Sequence, residues 1–403
     1  MARRFGPILH VFNSTLVSGP ETLVLPNLAG SGLDIRVVLL QETRNSVGAQ
    51  TVASYATNLG FEVHEIPTRG RMDVFACFTL SRLLGQLAPS IIHTHGPKAG
   101  LYALAAARLG RCPGALITTH HGVRANDTSN KLKLFETVYE KLIIPRQARC
   151  LAVCSSDAQL LKTRGVPSSR LATHLNGTDR PLLTGTAKTQ ARTLARANWA
   201  QALTRPSFDE SEMLWGVVGR LAPEKRHSIL LESLAVLLKA QPGAKLHVLL
   251  FGSGPLETKL KTQASQLGLG QHVHFMGYRP DVSAEMAGLD LLLSLSSAEG
   301  LPINLIEAGW AAVPVAATAV DGVKDLIVHG ESGWLLPAEI TSTELAATLG
   351  GILQNPAPAT DWATRLQSRV AERFSRKAWL EDLRGHYDLL RNSTAERPSL
   401  SQL

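Results

Sequence analysis

Short apolar runs, rich in β-branched residues, alternate along the chain with longer segments of helical periodicity. Seven such runs come first (PILHVFN, IRVVLLQ, FEVHEI, SIIHTH, ALITTH, CLAVCS and LATHL), and five follow later (LWGVVG, KLHVLLF, VHFMG, LDLLLSLS and VPVAAT). Between them, segments such as 72–86, 226–240 and 255–267 carry apolar residues at intervals of three and four. This alternation predicts parallel strands joined by crossover helices, in sheets covered on both faces.

The two sets of runs predict an α/β protein with two doubly wound domains, for which 403 residues are long enough. We predict the first domain over residues 1–181 and the second over 214–375. Residues 182–213 are polar and rich in Ala, Thr and Arg, with scattered helical signal, and are predicted to be the linker.

An amphipathic helix is predicted at the end of the chain, over residues 376–394. Its apolar face carries Trp379, Leu383, Tyr387 and Leu390, at intervals of four, four and three. Residues 395–403 are predicted to be a frayed tail.

The composition indicates a globular protein with large cores, because 44% of the residues are hydrophobic and 18% are charged. Four cysteines in a chain of this length suggest no disulfide framework, so a reducing compartment is expected. The N-terminal segment MARRFGPILHVF resembles a signal peptide only faintly, since Gly6, Pro7 and His10 interrupt its apolar run. No uninterrupted apolar stretch approaches about 18 residues. We therefore expect a cytoplasmic protein.

The positive charge is concentrated in the first half of the chain. Residues 1–200 hold 23 basic and 11 acidic side chains, a net +12, whereas 201–403 hold 18 and 22, a net −4, within a total of +8. This asymmetry suggests an anionic partner, either a phosphorylated acceptor or an anionic membrane face. Nucleic acid is disfavoured, because aromatic residues are few and no tight basic run occurs. The alternative explanation of the charge is a solubilising surface.

Residues 130–147 combine an apolar stripe with flanking basic side chains. The stripe comprises Leu134, Phe135, Val138, Leu142 and Ile143, and the basic residues are Lys131, Lys133, Lys141 and Arg146. Such a helix could lie in an anionic membrane interface and bring the protein to a lipid-linked partner. It could equally pack on the first sheet and expose its lysines to water.

The segment SSAEGLPINLIEA at 296–308 follows a predicted strand and opens a predicted helix. Ligands of parallel sheets bind at the carboxyl edge, where this turn lies, and Pro302 suits the first helical position. The unpaired N–H groups of Ile303, Asn304 and Leu305 would form an anion site at the helix start. Glu299 and Glu307 flank that site and suit sugar and ribose hydroxyls, although either could be an ordinary surface acid.

Two further strand ends point to the same edge. Arg220 and Lys225, in GRLAPEK, would neutralise a diphosphate leaving group without a metal ion, or else be solvated charges. Gly252 and Gly254 form a glycine-rich turn after the next strand, which by itself is a weak signal.

These residues together resemble glycosyltransferase family 4, retaining enzymes of the GT-B fold, over residues 7–390. The family's pair of glutamates separated by seven residues matches Glu299 and Glu307, in the context EGLP…EA. Its phosphate-binding Arg and Lys match Arg220 and Lys225, and its glycine-rich turn matches Gly252 and Gly254. The stretch from Gly300 through Leu301 and Pro302 to Leu305 matches the donor-binding helix start.

In the first half, the family's glycine-rich loop appears as Ser18-Gly19-Pro20-Glu21, in which only Gly19 matches closely. The family's histidine matches His121 in TTHHG, with His120 as a competitor one position away. His121 could bond the donor sugar, steady the acceptor or be structural. His93 and His95 suggest structural roles, because their spacing is not one typical of zinc. Residues 176–179, NGTD, resemble a family turn and are predicted to be a turn here.

The resemblance implies an N-terminal acceptor domain and a C-terminal donor domain facing a central cleft, with the last helix crossing back to the first domain. It implies a UDP-, GDP- or ADP-sugar donor, retention of configuration, no metal or other cofactor, and a cell-envelope or exopolysaccharide acceptor. Two alternatives remain open, a nucleotide-sugar epimerase of the same fold and an inactive subunit of a polysaccharide-synthesis complex. The intact Glu299–Glu307 element argues against the first, and the presence of all four charged residues argues against the second.

Overall fold

The structure, a computed structural model, describes residues 6–15, 17, 19–42, 51–69, 73–122, 139 and 143–395. The chain divides into two compact units. The first unit comprises Met1–Asn176 and Arg376–Leu403, and the second comprises Gly177–Ser375.

The first unit contains a parallel sheet of seven strands in the order β3-β2-β1-β4-β5-β6-β7. The strands are β1 (Ile8–Phe12), β2 (Ile35–Glu42), β3 (Glu62–Thr68), β4 (Ile91–His95), β5 (Ala115–His120), β6 (Arg149–Ala152) and β7 (Leu171–Thr173). The helices described between them are α1 (Gly19–Leu28), α2 (Val52–Asn58), α3 (Val74–Leu87), α4 (Pro97–Leu109) and α5 (Ser155–Thr163). The sheet is doubly wound, because strand order reverses between β1 and β4.

The second unit repeats this plan with six parallel strands in the order β10-β9-β8-β11-β12-β13. The strands are β8 (Met213–Val218), β9 (Leu246–Phe251), β10 (Val273–Gly277), β11 (Leu291–Ser294), β12 (Val315–Thr318) and β13 (Trp334–Leu336). The helices are α6 (Gly185–Ala202), α7 (His227–Ala240), α8 (Glu257–Gln266), α9 (Ile303–Trp310), α10 (Val323–Leu326), α11 (Ser342–Gln354) and α12 (Ala357–Arg373). The switch in strand order falls between β8 and β11.

The final helix, α13 (Arg376–Ala395), contributes to the core of the first unit. The predicted apolar face is confirmed, because Trp379, Leu383, Tyr387 and Leu390 are all buried among the apolar side chains of the first sheet. The helix is also fixed at its start, where the Arg376 Nε donates to the carbonyl of Asn27 over 3.0 Å.

All twelve predicted strands are present, and the three predicted internal helices correspond to α3, α7 and α8. The predicted linker differs from the structure. Residues 185–202 form α6, which belongs to the second unit and buries Trp199 against Gly288. The short strand β13 was also missed, because three residues are too few to show a period.

The two interpretations of residues 130–147 are decided only at the C-terminal end of the segment. Ile143 is buried in a small core with Cys150 and Leu161, so this member of the stripe packs inside the protein. Most of the segment, and Ser18 and residues 396–403, lie outside the described residues. Within the described part of the chain, no helix combines the length and the apolar character needed to span a membrane.

Candidate active site

The loops that follow β8, β9 and β11 in the second unit meet at the carboxyl edge of its sheet, at the switch in strand order. Open α/β sheets bind ligands at this position, because the loops diverge there and leave a crevice. The three loops carry Arg220, Gly252 and Glu299, respectively. The structure therefore brings the sequence-predicted residues of the second half to one edge.

Glu299 lies in a network that fixes its position after β11. Its carboxylate is paired with the Lys225 ammonium and accepts a hydrogen bond of 2.6 Å from Ser296 Oγ. Its backbone N–H donates to the carboxylate of Asp321 over 3.0 Å. The side chains of Lys225 and Glu299 are mostly buried, with 21% and 13% exposure. The predicted cation and the predicted sugar-binding carboxylate thus adjoin each other.

Arg220 belongs to the same loop as Lys225 but is much more exposed. Its guanidinium is paired with Glu224, four residues later in the short 3-10 turn Pro223–Lys225. The same turn is joined to the β11 loop, because Ser297 N donates to the carbonyl of Glu224 over 2.8 Å. Arg220 and Lys225 therefore lie on a loop that is fixed by backbone contacts.

Gly252 and Gly254 are required by the close approach of two loops. Gly252 has a φ of +140°, and an added Cβ would lie 2.0 Å from the carbonyl oxygen of Gly219. A Cβ on Gly254 would lie 2.5 Å from the carbonyl oxygen of Leu221. These glycines let the β9 loop lie against the loop that bears Arg220. Their predicted contact with a donor stays a prediction.

The helix α9 begins at Ile303, and Pro302 is its N-cap residue rather than its first residue. Among the residues that the structure describes, no side chain caps the helix, so its first N–H groups are available to a ligand. Leu301 is buried, and the Gly300 carbonyl accepts from Gly322 N, which fixes the approach to the helix.

Asn304 holds the start of α9 against the end of β8. Its amide Nδ2 donates to the carbonyl of Val218 over 2.7 Å, whereas its Oδ1 is buried and has no partner among the described residues. Among the described residues, the Asn304 side chain thus bonds the protein through its Nδ2 and not through its Oδ1. Leu305, the next residue, is fully buried, so only its backbone N–H can serve a ligand.

Glu307, whose side chain is mostly buried, forms an ion pair with the more exposed Arg180, which the sequence did not indicate. Its carboxylate Oε1 accepts from Arg180 Nη2 over 2.7 Å and from Arg180 Nε over 3.2 Å. Burial raises the pKa of Glu307, and the Arg180 guanidinium opposes that shift. Arg180 follows the predicted turn at 176–179, and no local spacing connects it with Glu307.

Gly19 and His121 lie in the first unit. Gly19 is the first residue of α1, and an added Cβ would meet nothing within 4 Å. His121 follows β5, is partly buried, and its Nε2 lies 2.9 Å from the Nδ1 of His95. Burial lowers the pKa of His121 to about 3, so its imidazole is neutral at physiological pH. His120 is buried beside it, and its Nε2 has no partner among the described residues.

Among the described residues, two groups of side chains have metal-ligand character, and both lie in the first unit. The potential ligand atoms of His10, His93 and His95 lie within 4.8 Å of one another, as do those of His174, Asp382 and His386. In the first group every imidazole nitrogen is already hydrogen bonded to another side chain. In the second, Asp382 is held by His174 Nδ1 at 2.6 Å.

Two family models match the chain, one in each half. The first, described as Glycosyltransferase Family 4, matches residues 24–180. The second, described as Glycosyl transferases group 1, matches residues 204–369 and so includes Arg220, Lys225, Glu299 and Glu307.

Curated relatives include a putative colanic acid biosynthesis glycosyltransferase, WcaL, of Salmonella typhimurium. It is 28% identical over 303 residues, which are 72% of this chain and 68% of that protein. The amylovoran biosynthesis glycosyltransferase AmsK of Erwinia amylovora is 31% identical over 166 residues, 39% of this chain and 40% of that protein. Among solved structures, HepE of Anabaena in complex with UDP superimposes on this chain with a TM-score of 0.78 at 18% sequence identity. The superposition covers 95% of this chain and 100% of the HepE chain.

Two Rossmann-like parallel sheets and these two matches define a glycosyltransferase of the GT-B class. The chain belongs to glycosyltransferase family 4.

Proposed function

We propose that the protein transfers a hexosyl residue from a nucleoside diphosphate sugar to a cell-envelope or exopolysaccharide acceptor, with retention of configuration. The observation that carries this proposal is the convergence of Arg220, Lys225, Glu299 and the start of α9 at one sheet edge. Two cations and unpaired helix N–H groups suit a diphosphate. HepE, which shares the fold, has been crystallised with UDP-glucose, in agreement with a nucleotide-sugar donor.

In this proposal, the bond between the anomeric carbon and the diphosphate oxygen breaks, and its electron pair leaves on the diphosphate. The acceptor hydroxyl oxygen replaces it on the carbon, and the hydroxyl proton passes to the diphosphate. Arg220, Lys225 and the start of α9 stabilise the charge of the leaving group, so no metal ion is needed. Glu299 holds the transferred sugar and Glu307 the ribose hydroxyls, while Gly252 and Gly254 shape the crevice.

The nature of the acceptor is proposed from the curated relatives. WcaL and AmsK are named for the synthesis of colanic acid and amylovoran, so we propose a growing saccharide as the acceptor. We further propose that it is lipid-linked or anionic, since the first half of the chain is strongly basic.

The proposal is tested by incubating the protein with UDP-, GDP- and ADP-sugars and measuring nucleoside diphosphate release, with and without lipid extract. We expect release with one donor class, stimulated by an acceptor fraction and unaffected by EDTA. Loss of release on chelation would contradict the metal-free mechanism. Isomerisation of the sugar without release would indicate the epimerase instead, and inertness with every donor would favour an inactive subunit.

Replacement of the two cations should impair turnover without unfolding the protein. Lys225→Ala and Arg220→Ala each remove a charge-assisted contact to the leaving group, which we expect to lower kcat by about 10²–10³-fold. The matched controls are Lys261→Ala and Arg365→Ala, each of which breaks an exposed ion pair between neighbouring turns of one helix. Wild-type rates for both site variants would refute the assignment of the donor site.

Peripheral membrane attachment is tested with vesicles. Charge attraction by the basic first half predicts sedimentation with anionic liposomes, and its loss at high salt, because screening acts within about 8–10 Å at physiological ionic strength. The exposed side chains of Val74, Phe75 and Phe78, at the start of α3, offer apolar contacts that would add to this attraction. Zwitterionic liposomes are the control. Protein that stays in the supernatant with anionic vesicles at low salt would contradict attachment.

A further inference from the structure

Six side chains of the first unit form one continuous series of hydrogen bonds, which we name the histidine chain. In order, its members are Thr119, His93, Tyr387, His10, His95 and His121. The five donor–acceptor distances between successive members are 2.7, 2.7, 3.0, 2.9 and 2.9 Å, so each link is a hydrogen bond of ordinary length.

The sheet register and α13 assemble the histidine chain. His10 on β1 pairs with His93 on β4, and His95 pairs with Thr119 on β5. His93 and His95 lie two residues apart and therefore share one face of the sheet. Tyr387 of α13 covers that face and joins His93 to His10. The histidine chain thus lies where strand order reverses in the first unit.

The interior of the histidine chain is cut off from water. His10, His93, Thr119 and Tyr387 are 3% exposed or less, and burial lowers the pKa of His10 to about 3. Burial also holds the pKa values of His93 and His95 well below their usual range. Every imidazole is therefore neutral near pH 7, with one N–H and one lone pair.

Counting protons leaves two arrangements for the histidine chain. Each neutral histidine can donate in only one of its two links, and Tyr387 has a single proton for two links. Tyr387 could also accept in both links, but its buried proton would then have no acceptor among the described residues. All five bonds can form with that proton also bonded only if every member donates in the same direction. The tautomer of His121 is consequently coupled to that of His10, on another strand, through His95.

Thr119 determines the direction. Within the described part of the chain, its hydroxyl has no acceptor other than His93 Nε2, so it donates there. His93 Nδ1–H then donates to Tyr387, and Tyr387 donates to His10 Nε2. In the same direction, His10 donates to His95 and His95 donates to the Nε2 of His121. His121 must therefore carry its own proton on Nδ1.

We propose that Tyr387 and Thr119 are positioning residues that hold His121 in the Nδ1–H tautomer, so that it presents a hydrogen-bond donor to an oxygen atom of its ligand. His121 then binds a sugar hydroxyl or a phosphate oxygen as an acceptor and does not serve as a general base. This inference rests on the proposed function only for the identity of that ligand. The tautomer itself is a property of the first unit.

The test uses the full chain labelled with ¹⁵N-histidine, and the signals of His121 are assigned with a His121→Asn variant. In the wild type we expect one protonated nitrogen at His121, namely Nδ1. Tyr387→Phe removes the hydroxyl that joins both halves of the histidine chain, so the signals of both His121 nitrogens should move towards those of a mixture of tautomers. Tyr102→Phe is the matched control, because its buried hydroxyl accepts from Asp73 N and lies outside the histidine chain.

A second pair of variants tests the direction. Thr119→Val removes the terminal donor while it keeps the shape of the side chain, and should produce the same mixture. Thr119→Ser retains the hydroxyl and should restore the single Nδ1–H tautomer. A wild-type His121 protonated on Nε2, or an unchanged tautomer in folded Tyr387→Phe and Thr119→Val, would overturn the proposal. None of these readouts requires turnover, so failure to find a sugar donor would count against the proposed function alone.

Discussion

The carboxylate of Glu307 is nearly enclosed by protein, and Arg180 is its charged partner. Burying a carboxylate without a cation would cost free energy, so the Arg180 pair explains how an acid can persist at this largely buried position. The Arg180 fork contacts one carboxylate oxygen, Oε1. The second oxygen has capacity left to accept ribose hydroxyls, as the proposed function requires.

We expect Glu307→Gln to weaken the binding of nucleoside diphosphates. An amide offers one acceptor oxygen in place of two, and the charge opposite Arg180 is lost. Loss of a charged hydrogen bond should cost about 1.5–3 kcal/mol, a factor of about ten or more in Kd. Calorimetry with UDP, GDP and ADP measures this directly.

The control for this measurement is Glu257→Gln, which breaks an exposed pair with Lys261 on α8. It should leave nucleotide affinity unchanged. Equal affinities for wild type and Glu307→Gln, with whichever nucleotide binds best, would mean that Glu307 only balances the charge of Arg180.

At the scale of elements, α6 stands where the polar composition indicated a linker. Polar composition was misleading because the basic side chains of α6 are used inside the second unit. Arg192 and Arg196 each donate to Asp290, over 2.6 and 2.7 Å. The same carboxylate accepts from the backbone N–H of Leu214 at the start of β8. Asp290 thus ties α6 to the sheet.

Asp290→Asn should therefore destabilise the second unit. The substitution keeps the size of the side chain but turns two amide hydrogens towards groups that are themselves donors. Breaking a largely buried ion pair on one side should lower the free energy of unfolding by about 2–4 kcal/mol. Denaturant titration followed by circular dichroism measures the change.

Asp361→Asn provides the comparison, since Asp361 forms an exposed pair with Arg365 on α12. Exposed ion pairs contribute about 0–1 kcal/mol to the free energy of unfolding, so the control substitution should hardly change it. Similar small losses for both variants would show that Asp290 does not hold α6 to the sheet.

At the scale of the whole molecule, many histidines are buried and neutral. Burial lowers the pKa of His10 and His121 to about 3, and of His120, His227 and His274 to about 4. The unfolded chain titrates these groups near the ordinary value of about 6.5. Between those limits the unfolded state binds more protons, so stability rises with pH. The stabilisation is complete above about pH 6.5 and is lost progressively as the pH falls below it.

We expect the free energy of unfolding to fall between pH 7 and pH 5, by up to about 1.4 kcal/mol per pH unit for each such histidine. His120→Gln should lower this slope by the contribution of one proton, about 1.4 kcal/mol per pH unit. The reason is that His120 is buried outside the histidine chain and takes up a proton only on unfolding. Urea titrations at several pH values provide the slope.

Gln354→Ala, which replaces an exposed side chain that does not titrate, is the control and should leave the slope unchanged. An identical slope in wild type and His120→Gln would contradict the assignment of a neutral buried imidazole at this position.

The sequence by itself determined twelve of the thirteen described strands, several helices and the edge at which the candidate site forms. These features are local, because a strand shows its period within a few residues and parallel strands must end at the same edge. Lys225 and Glu299 could be placed together from the sequence for that reason, although their direct pairing could not. The family resemblance predicted the GT-B class, which the family matches confirm.

Only the tertiary structure decided which distant side chains became partners. Arg180 and Glu307 are 127 residues apart, and Tyr387 and His10 are 377 apart, so no local period could connect them. The same holds for α6, whose polar sequence gave no sign that Asp290 would bind its arginines. Such partners are selected by packing, since a buried charge or N–H is tolerated only where the fold supplies a complementary group. That condition depends on the whole fold, and a single stretch of sequence does not contain it.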